Sequence, residues 1–209
     1  MKKAVGLMIA VVFMFMQAGT LSAATRSFTV TASVPSATGV AISASSVLVS
    51  TNAFTPLASN VTSLSFDTMT FNTTYGFWAP DHVFAIDVGT VGGAGNVTTV
   101  VTYTEGTNQN SSVGGHGLGY KGLATFQKAT VSGGVTTEAT IAAHGKKKLI
   151  DLTGTTVTPA QVAGGWLRVY LGITTDPTAV GMPANAEIFS NADRSGIYDG
   201  TITFTATVA

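Results

Sequence analysis

The sequence contains no cysteine, which excludes disulfide bonds and thiolate metal sites. We therefore expect burial of apolar side chains and backbone pairing alone to hold the fold together. The chain has 209 residues, and a chain of that length has enough interior to form a sizeable core.

Charged residues are also scarce, at 10% of the chain against about 25% in ordinary globular proteins. The basic residues cluster only at Lys146–Lys148, which we interpret as a solvated turn, so nucleic acid is not an expected partner. A surface with few charges has weak protection against association. The composition therefore favours a subunit of a permanent assembly over a free monomer.

The N-terminal segment is typical of an export signal. Lys2 and Lys3 precede an apolar run over residues 5–16, and small residues follow at Ser22 and Ala24. The run is shorter than the roughly 20 residues that a membrane-spanning helix needs. We expect residues 1–24 to be a cleaved signal peptide, which leaves a secreted chain without a membrane span. A retained membrane anchor is the alternative.

Helical periodicity is nearly missing, and the best candidate is a single turn at Pro159–Val162 behind Thr158 as N-cap. The rest alternates β-prone runs with Gly- and Asn-rich breaks, which predicts one all-β domain of the antiparallel sandwich type. The predicted strands are Ser27–Val34, Val40–Val49, Thr62–Phe71, Val83–Val88, Val97–Thr104, Ala124–Val131, Val135–Ala142, Lys148–Leu152, Gly165–Thr174 and Gly200–Val208. The stretch "KATVSGGVTTEA" (128–139) predicts a hairpin around Gly133-Gly134.

Both ends of the mature chain carry amphipathic strand patterns. In "RSFTVTASVPS" (26–36) the apolar residues alternate with Thr and Ser, and in "GTITFTATVA" (200–209) they alternate with Thr. The apolar positions are Phe28, Val30, Ala32 and Val34 in the first strand, and Ile202, Phe204, Ala206 and Val208 in the last. Residues 27–34 and 200–209 contain no charge and no proline, the residues that usually protect sheet edges.

These two ends carry a family resemblance. "SFTVTASVPSATGVAI" (27–42) resembles the mature N-terminus of pilins of the alternate chaperone–usher, colonisation-factor-type class. "SGIYDGTITFTATVA" (195–209) resembles the closing strand of those pilins and of spore-coat-U-like pilins, with its Gly-x-Tyr-x-Gly turn at Gly196, Tyr198 and Gly200.

The resemblance implies an immunoglobulin-like antiparallel β-sandwich, over residues 36–209, that lacks one strand. Residues 25–35 of a neighbouring subunit would complete it, so the chain would be a structural subunit of a cell-surface fimbria. The donor side chains would be Phe28, Val30, Ala32 and Val34. The acceptor groove would be walled by Tyr198, Ile202, Phe204, Ala206 and Val208. Identical or related subunits, a periplasmic chaperone and an outer-membrane usher would be the partners. A strand at 27–34 that pairs within its own domain is the alternative.

A cluster of aromatic residues gives a second functional hypothesis. Tyr75, Phe77 and Trp78 lie close together in "TTYGFWAPDH" (73–82). They are either a sugar-stacking platform, which would make the chain a secreted monomeric carbohydrate-binding sandwich, or a plug at the end of the core.

Catalytic and metal-binding patterns are not found, so we expect neither an enzyme nor a cofactor. The chain has three histidines, at 82, 116 and 144, and no spacing typical of a metal site. Asp81 and His82 would point to opposite faces of a regular strand. The stretch "GGHGLGYKG" (114–122) is expected to be a flexible loop without a following helix. Asp193, with Asn191 and Asp199, is consistent with either a calcium site or a turn with side-chain hydrogen bonds.

Overall fold

The computed structural model describes residues 39–49, 54, 56–66, 69–91, 97–109, 116–193 and 196–208. Its strands are β1 (Val40–Leu48), β2 (Pro56–Ser59), β3 (Met69–Asn72), β4 (Phe77–Pro80), β5 (His82–Thr90), β6 (Val97–Gln109), β7 (Gly122–Ala129), β8 (Glu138–Thr140), β9 (Lys146–Lys148), β10 (Thr155–Val157), β11 (Trp166–Ile173), β12 (Phe189–Ser190) and β13 (Tyr198–Val208). A four-residue helix α1 (Leu118–Lys121) and two 3₁₀ helices (Leu149–Leu152 and Pro159–Val162) interrupt them. Among these residues, no helix is long and apolar enough to cross a membrane.

The strands form three antiparallel sheets. The largest has the order β2-β1-β5-β11-β7-β8, with β9 also paired to β7. The second has the order β10-β6-β13, and the third has the order β12-β4-β3. The chain is therefore all-β, as the alternation pattern predicts.

One continuous core lies between the first two sheets. The large sheet contributes Ile86 and Val169, and the β6–β13 sheet contributes Val101 and Phe204, all almost fully buried. Each such side chain contributes about 1.5–3 kcal/mol by leaving water. This face-to-face packing is consistent with the predicted sandwich.

Two predicted strands are wrong for different reasons. In Lys148–Leu152, the residues Leu149–Leu152 form a 3₁₀ helix that buries its first and last leucines, because residues three apart share one face of such a helix. In Thr62–Phe71, Leu64 and Phe66 are buried in alternation, but only Met69–Asn72 joins a sheet. Alternation of burial thus occurs in this segment without the backbone ladder that defines a strand.

The predicted helical turn at Pro159–Val162 is confirmed as a 3₁₀ helix. The Thr158 N–H donates to Gln161 Oε1 at 2.8 Å, which closes the start of the helix. The predicted hairpin is also confirmed, since Ala129 pairs with Glu138 across the antiparallel β7–β8 ladder. The prediction for 114–122 is wrong because α1 occupies part of it. Lys146–Lys148 is a strand and not a turn, and Lys148 is buried.

A buried arginine anchors the β7–β8 hairpin to the large sheet. Arg168 on β11 is fully buried, and its guanidinium donates to both carboxylate oxygens of Asp87, at 2.7 and 2.8 Å. It also donates to Glu138 Oε1 at 2.6 Å and to the carbonyls of Val131 and Gly134 in the hairpin. Burial alone would lower the pKa of Arg168, but hydrogen bonds and charge from the two carboxylates outweigh it and raise the pKa. The arginine is thus a charged structural anchor.

Candidate functional site

The terminal strand β13 lies at an edge of its sheet. It pairs with β6 along nearly its whole length, from Tyr198 to Val208, with one irregularity between Tyr198 and Gly200. Among the described residues, no strand pairs with its other side. Within the part of the chain that the structure describes, the outward backbone groups of residues 200–208 therefore face no neighbouring strand.

The side chains of β13 alternate as predicted. Tyr198, Ile202, Phe204 and Ala206 are buried, whereas Thr201, Thr205 and Thr207 are exposed. Val208 is 46% exposed at the end of the strand. Four of the five residues proposed to wall an acceptor groove are therefore already covered by their own chain. What β13 leaves open is its backbone edge.

The start of β1 forms the second side of this region. Val40, Ile42 and Ala44 pack against the core but are only half-buried, unlike the inward residues of β5 and β11. The strands β1 and β13 contact each other. A Cβ placed on Gly39 would lie 3.6 Å from a methyl group of Val208. An unpaired edge and a partly covered apolar face thus lie side by side.

The predicted donor residues Phe28, Val30, Ala32 and Val34 lie outside the described residues. The first described residue, Gly39, fixes where the chain enters the fold. Its carbonyl accepts a hydrogen bond from the Val91 N–H at 2.7 Å, and the Val91 side chain is 69% exposed. The described fold therefore begins at Gly39, beside Val208 at the C-terminal end of β13.

The predicted aromatic cluster is divided between two environments. Tyr75 is 72% exposed, and its ring stacks on Phe77 with centroids 6.1 Å apart. Both residues line a pocket of about 540 Å³ with Asp176, Thr178 and other residues of the segment before β12. Trp78 follows on the opposite face of β4 and packs on Phe71, with centroids 5.1 Å apart. Only two of the three aromatic residues thus face the pocket.

The turn before β4 presents Tyr75 to solvent. Asn72 Oδ1 accepts hydrogen bonds from the N–H groups of Thr74 and Tyr75. Gly76 adopts a φ of 74°, a left-handed conformation that glycine takes without steric cost. The ring of Tyr75 is therefore held out by local backbone geometry.

Asp81 and His82 interact, contrary to the expectation from regular strand geometry. His82 Nδ1 lies 2.5 Å from Asp81 Oδ1, because Asp81 is in a bend between β4 and β5 and not within a strand. His82 Nε2 lies 3.2 Å from the carbonyl oxygen of Ser65. Both ring nitrogens thus have partners within the chain, and the pair ties the segment before β3 to the start of β5.

Asp193 lies in a turn, and its partners include a lysine that the sequence patterns did not indicate. Its Oδ2 accepts hydrogen bonds from the N–H of Ser190, at 2.8 Å, and from its hydroxyl. Its Oδ1 lies 3.0 Å from Lys121 Nζ. Asp193 thus accepts the side-chain hydrogen bonds expected of a turn and also forms an ion pair with Lys121.

Comparison with known proteins finds no matching family model, no matching curated protein and no matching solved structure.

Proposed function

We propose that this chain is the structural subunit of an extracellular fimbria, joined head to tail by an N-terminal strand that each subunit donates to the next. The observation that carries the proposal is the open edge of β13 beside the half-buried face of β1. Residues 200–208 contain no charge and no proline, although exposed edges normally carry such protection. An unprotected edge of this kind favours an added strand.

The donated strand would make two sets of contacts. Its backbone would extend the β10-β6-β13 sheet, and its apolar face would cover Val40, Ile42 and Ala44. The side chains of Phe28, Val30, Ala32 and Val34 are spaced for the second contact. Full burial of a large apolar side chain contributes about 1.5–3 kcal/mol, so the contact would be long-lived. This arrangement would be an immunoglobulin-like sandwich completed by its neighbour.

Chain reach limits antiparallel pairing of residues 27–34 with β13 of the same subunit. Gly39 lies near Val208, at the C-terminal end of β13, and the strand spans about 33 Å. The five steps from Val34 to Gly39 span at most about 17 Å. A subunit's own residues 27–34 therefore cannot pair antiparallel to β13 along its full length. A neighbour's segment has no such restriction, and repeated donation yields an open fibre.

The proposal extends to the assembly partners and location. Before assembly, the open edge would need a periplasmic chaperone to cover it, and an outer-membrane usher would then exchange the chaperone for the next subunit. The assembled subunits would form a filament at the cell surface. No catalytic activity is part of the proposal.

Deletion of residues 25–34 tests the proposal. We expect the deletion variant to fold but to form no filaments in electron micrographs, because the donor strand is missing while β1–β13 are intact. A peptide of residues 25–36 should bind the variant. Filaments formed by the deletion variant would exclude donation by this segment.

A matched pair of substitutions separates donation from a general loss of folding. Val30→Asp places a charge on the apolar face of the donor, whereas Thr31→Asp places the same charge on its polar face. We expect only Val30→Asp to prevent polymerisation, since a buried unpaired carboxylate is costly. Equal loss of filaments in both variants would contradict the proposed orientation of the strand.

The pocket at Tyr75 supports glycan binding as a second candidate function. An exposed aromatic ring above a pocket with the Asp176 carboxylate and the Thr178 hydroxyl offers stacking and hydrogen bonding to a sugar. We expect Tyr75→Ala to lower binding to a glycan array at least tenfold, whereas Val180→Ala, at a fully exposed position outside the pocket, should not. Unchanged glycan binding by Tyr75→Ala would remove this candidate.

A further inference from the structure

A buried lysine lies directly against a buried aspartate on the side of the molecule near α1 and β12. Lys121, the last residue of α1, is 3% exposed. Its Nζ lies 3.0 Å from Asp193 Oδ1, and both side chains are only 4% exposed. The Nζ also donates to the Ile188 carbonyl at 2.9 Å and lies 5.2 Å from the centroid of the Phe189 ring. The amine and carboxyl groups are thus held together in a largely water-free site.

Two further groups complete this cluster. Glu187 Oε2 lies 3.5 Å from Lys121 Nζ, and Glu187 Oε1 lies 2.5 Å from His116 Nδ1. On the other side, the Ser190 N–H donates to Asp193 Oδ2 at 2.8 Å. The cluster therefore contains a nucleophile, a carbonyl carbon, a proton carrier and a hydrogen-bond donor for one carboxyl oxygen. These are the groups that amide formation requires.

We propose that Lys121 and Asp193 join in an intramolecular isopeptide bond between Nζ and Cγ. Glu187 takes one proton from the ammonium, and the freed lone pair of Nζ attacks Cγ. Negative charge develops on Oδ2, where the Ser190 N–H stabilises it. Collapse of this intermediate expels Oδ1, which leaves as water with one proton returned by Glu187 and one from Nζ. The ammonium and the carboxylate thus become one amide and one water, and no other reactant is needed.

Burial and proximity both favour this product. Two charges removed from water carry a desolvation penalty that their mutual attraction offsets only partly, and the amide is neutral. Because Nζ is in contact with Oδ1, Cγ lies at most one carbon–oxygen bond farther away. Well-oriented intramolecular reactions reach effective molarities of roughly 10⁵–10⁸ M, so the contact would accelerate amide formation, while exclusion of water from the two side chains favours the neutral amide as the product.

The bond would give a cysteine-free chain a covalent cross-link. It would connect the end of α1 to the turn after β12 and close a loop of about 70 residues, which restricts the unfolded chain as a disulfide does. This inference does not depend on filament formation, and its test is independent of that proposal.

The intact mass of the purified wild-type chain tests the bond. We expect a mass lower by one water than the sequence predicts, and a branched peptide joining Lys121 to Asp193 after proteolysis. The full sequence mass would overturn the proposal. A lost water without the branched peptide would also overturn it, because dehydration at Asp199-Gly200 gives the same mass change.

Variants identify the reacting groups. Lys121→Arg should restore the full mass, since a guanidinium does not form this amide. Asp193→Asn should reach the wild-type product mass by releasing ammonia in place of water. The matched control is Lys148→Arg, because Lys148 is also buried and lies 3.5 Å from Asp151, but that carboxylate is 48% exposed. The Lys148→Arg variant should still have an intact mass lower by one water than its sequence predicts. Loss of the cross-link in Lys148→Arg, or its retention in Lys121→Arg, would overturn the assignment.

The Glu187→Gln variant tests whether Glu187 carries the proton during amide formation. The substitution keeps the shape of the side chain but removes its ability to accept a proton, so the linked fraction after a fixed time should fall at least tenfold. Linkage at the wild-type rate would exclude this role for Glu187. If Lys121→Arg does not fold, the wild-type mass and peptide map decide the question alone.

Discussion

At the residue scale, three groups of buried or half-buried charged side chains fix separate parts of the chain to one another. Arg168 fixes the β7–β8 hairpin through Asp87 and Glu138. Lys121 connects α1 to the turn that holds Asp193. Glu105 on β6 accepts a hydrogen bond from the Gly119 N–H, at 3.0 and 3.1 Å from its two oxygens. Several of the few charges in this chain are thus used inside the protein.

Glu105 makes the stability of the protein depend on pH. Burial raises the pKa of Glu105, since its hydrogen bonds offset only part of the desolvation. A carboxyl with a raised pKa stabilises the fold below its unfolded pKa, about 4.3, and this contribution is lost as pH rises through the folded pKa. Glu105→Gln should therefore raise the melting temperature relative to the wild type above that range.

The control is the pH dependence of the difference in melting temperature between Glu105→Gln and the wild type. The two proteins should converge near pH 3–4, where Glu105 is protonated in both the folded and unfolded chains, and separate as pH increases. Thermal unfolding monitored by circular dichroism at several pH values measures it. A difference that is the same at every pH would show that the substitution acts through packing and not through the charge.

The alternation of Thr with apolar residues predicted the buried side chains of β13, because period-two patterning reports directly which face is covered. Arg168 and Lys121 could not be predicted in this way. A charged residue in a strand usually faces solvent, and the partners Asp87 and Asp193 are far away in the sequence. Their burial depends on tertiary contacts that no local pattern encodes.

At the element scale, β13 differs from the central strands of the large sheet. The strands β5 and β11 are paired on both sides. Only β6 pairs with β13 among the described residues, so half of its backbone groups face outward. The boundaries of β5, β11 and β13 agree with the predicted strands within a few residues. The very short strands β2, β10 and β12 carry too few residues to show a period.

The exchange rates of the β13 amides measure whether its outward N–H groups are hydrogen-bonded. In the variant that lacks residues 25–34, every second amide of residues 200–208 should exchange quickly, because alternate N–H groups of an edge strand point away from its partner. In assembled wild-type filaments the same amides should exchange slowly.

Residues Thr99–Val101 of β6 provide the internal control. They pair with β10 on one side and with β13 on the other, so their amides should exchange slowly in both samples. Full protection of residues 200–208 in the deletion variant would mean that the edge is already covered within one subunit.

At the scale of the whole molecule, three features favour one mode of assembly. The surface has few charges, the edge of β13 is unprotected, and the described fold begins at Gly39 beside the C-terminal end of β13. Each subunit would carry an acceptor at β13 and a donor at residues 25–35, so contacts are heterologous and the chain of subunits does not close. The sequence predicted the all-β class, but the position of β13 at an edge depends on sheet order, which local patterns do not determine.

The absence of cysteine permits a direct measurement of this assembly. One variant carries only Thr31→Cys, on the polar face of the donor, and the other carries only Thr203→Cys, on the outward face of β13. Antiparallel partners have Cα atoms about 4.5–5.5 Å apart, within the range that a disulfide bridges. Two further acceptor variants, Thr201→Cys and Thr205→Cys, test the neighbouring registers of the pairing.

The two single-cysteine variants are mixed, assembled and oxidised, and the products are separated on a non-reducing gel. We expect a disulfide-linked dimer for at least one of the three acceptor positions, formed only between the two different variants. If no acceptor position gives a dimer, while a chain with both cysteines forms an internal disulfide, the strand pairs within its own subunit and strand donation is contradicted.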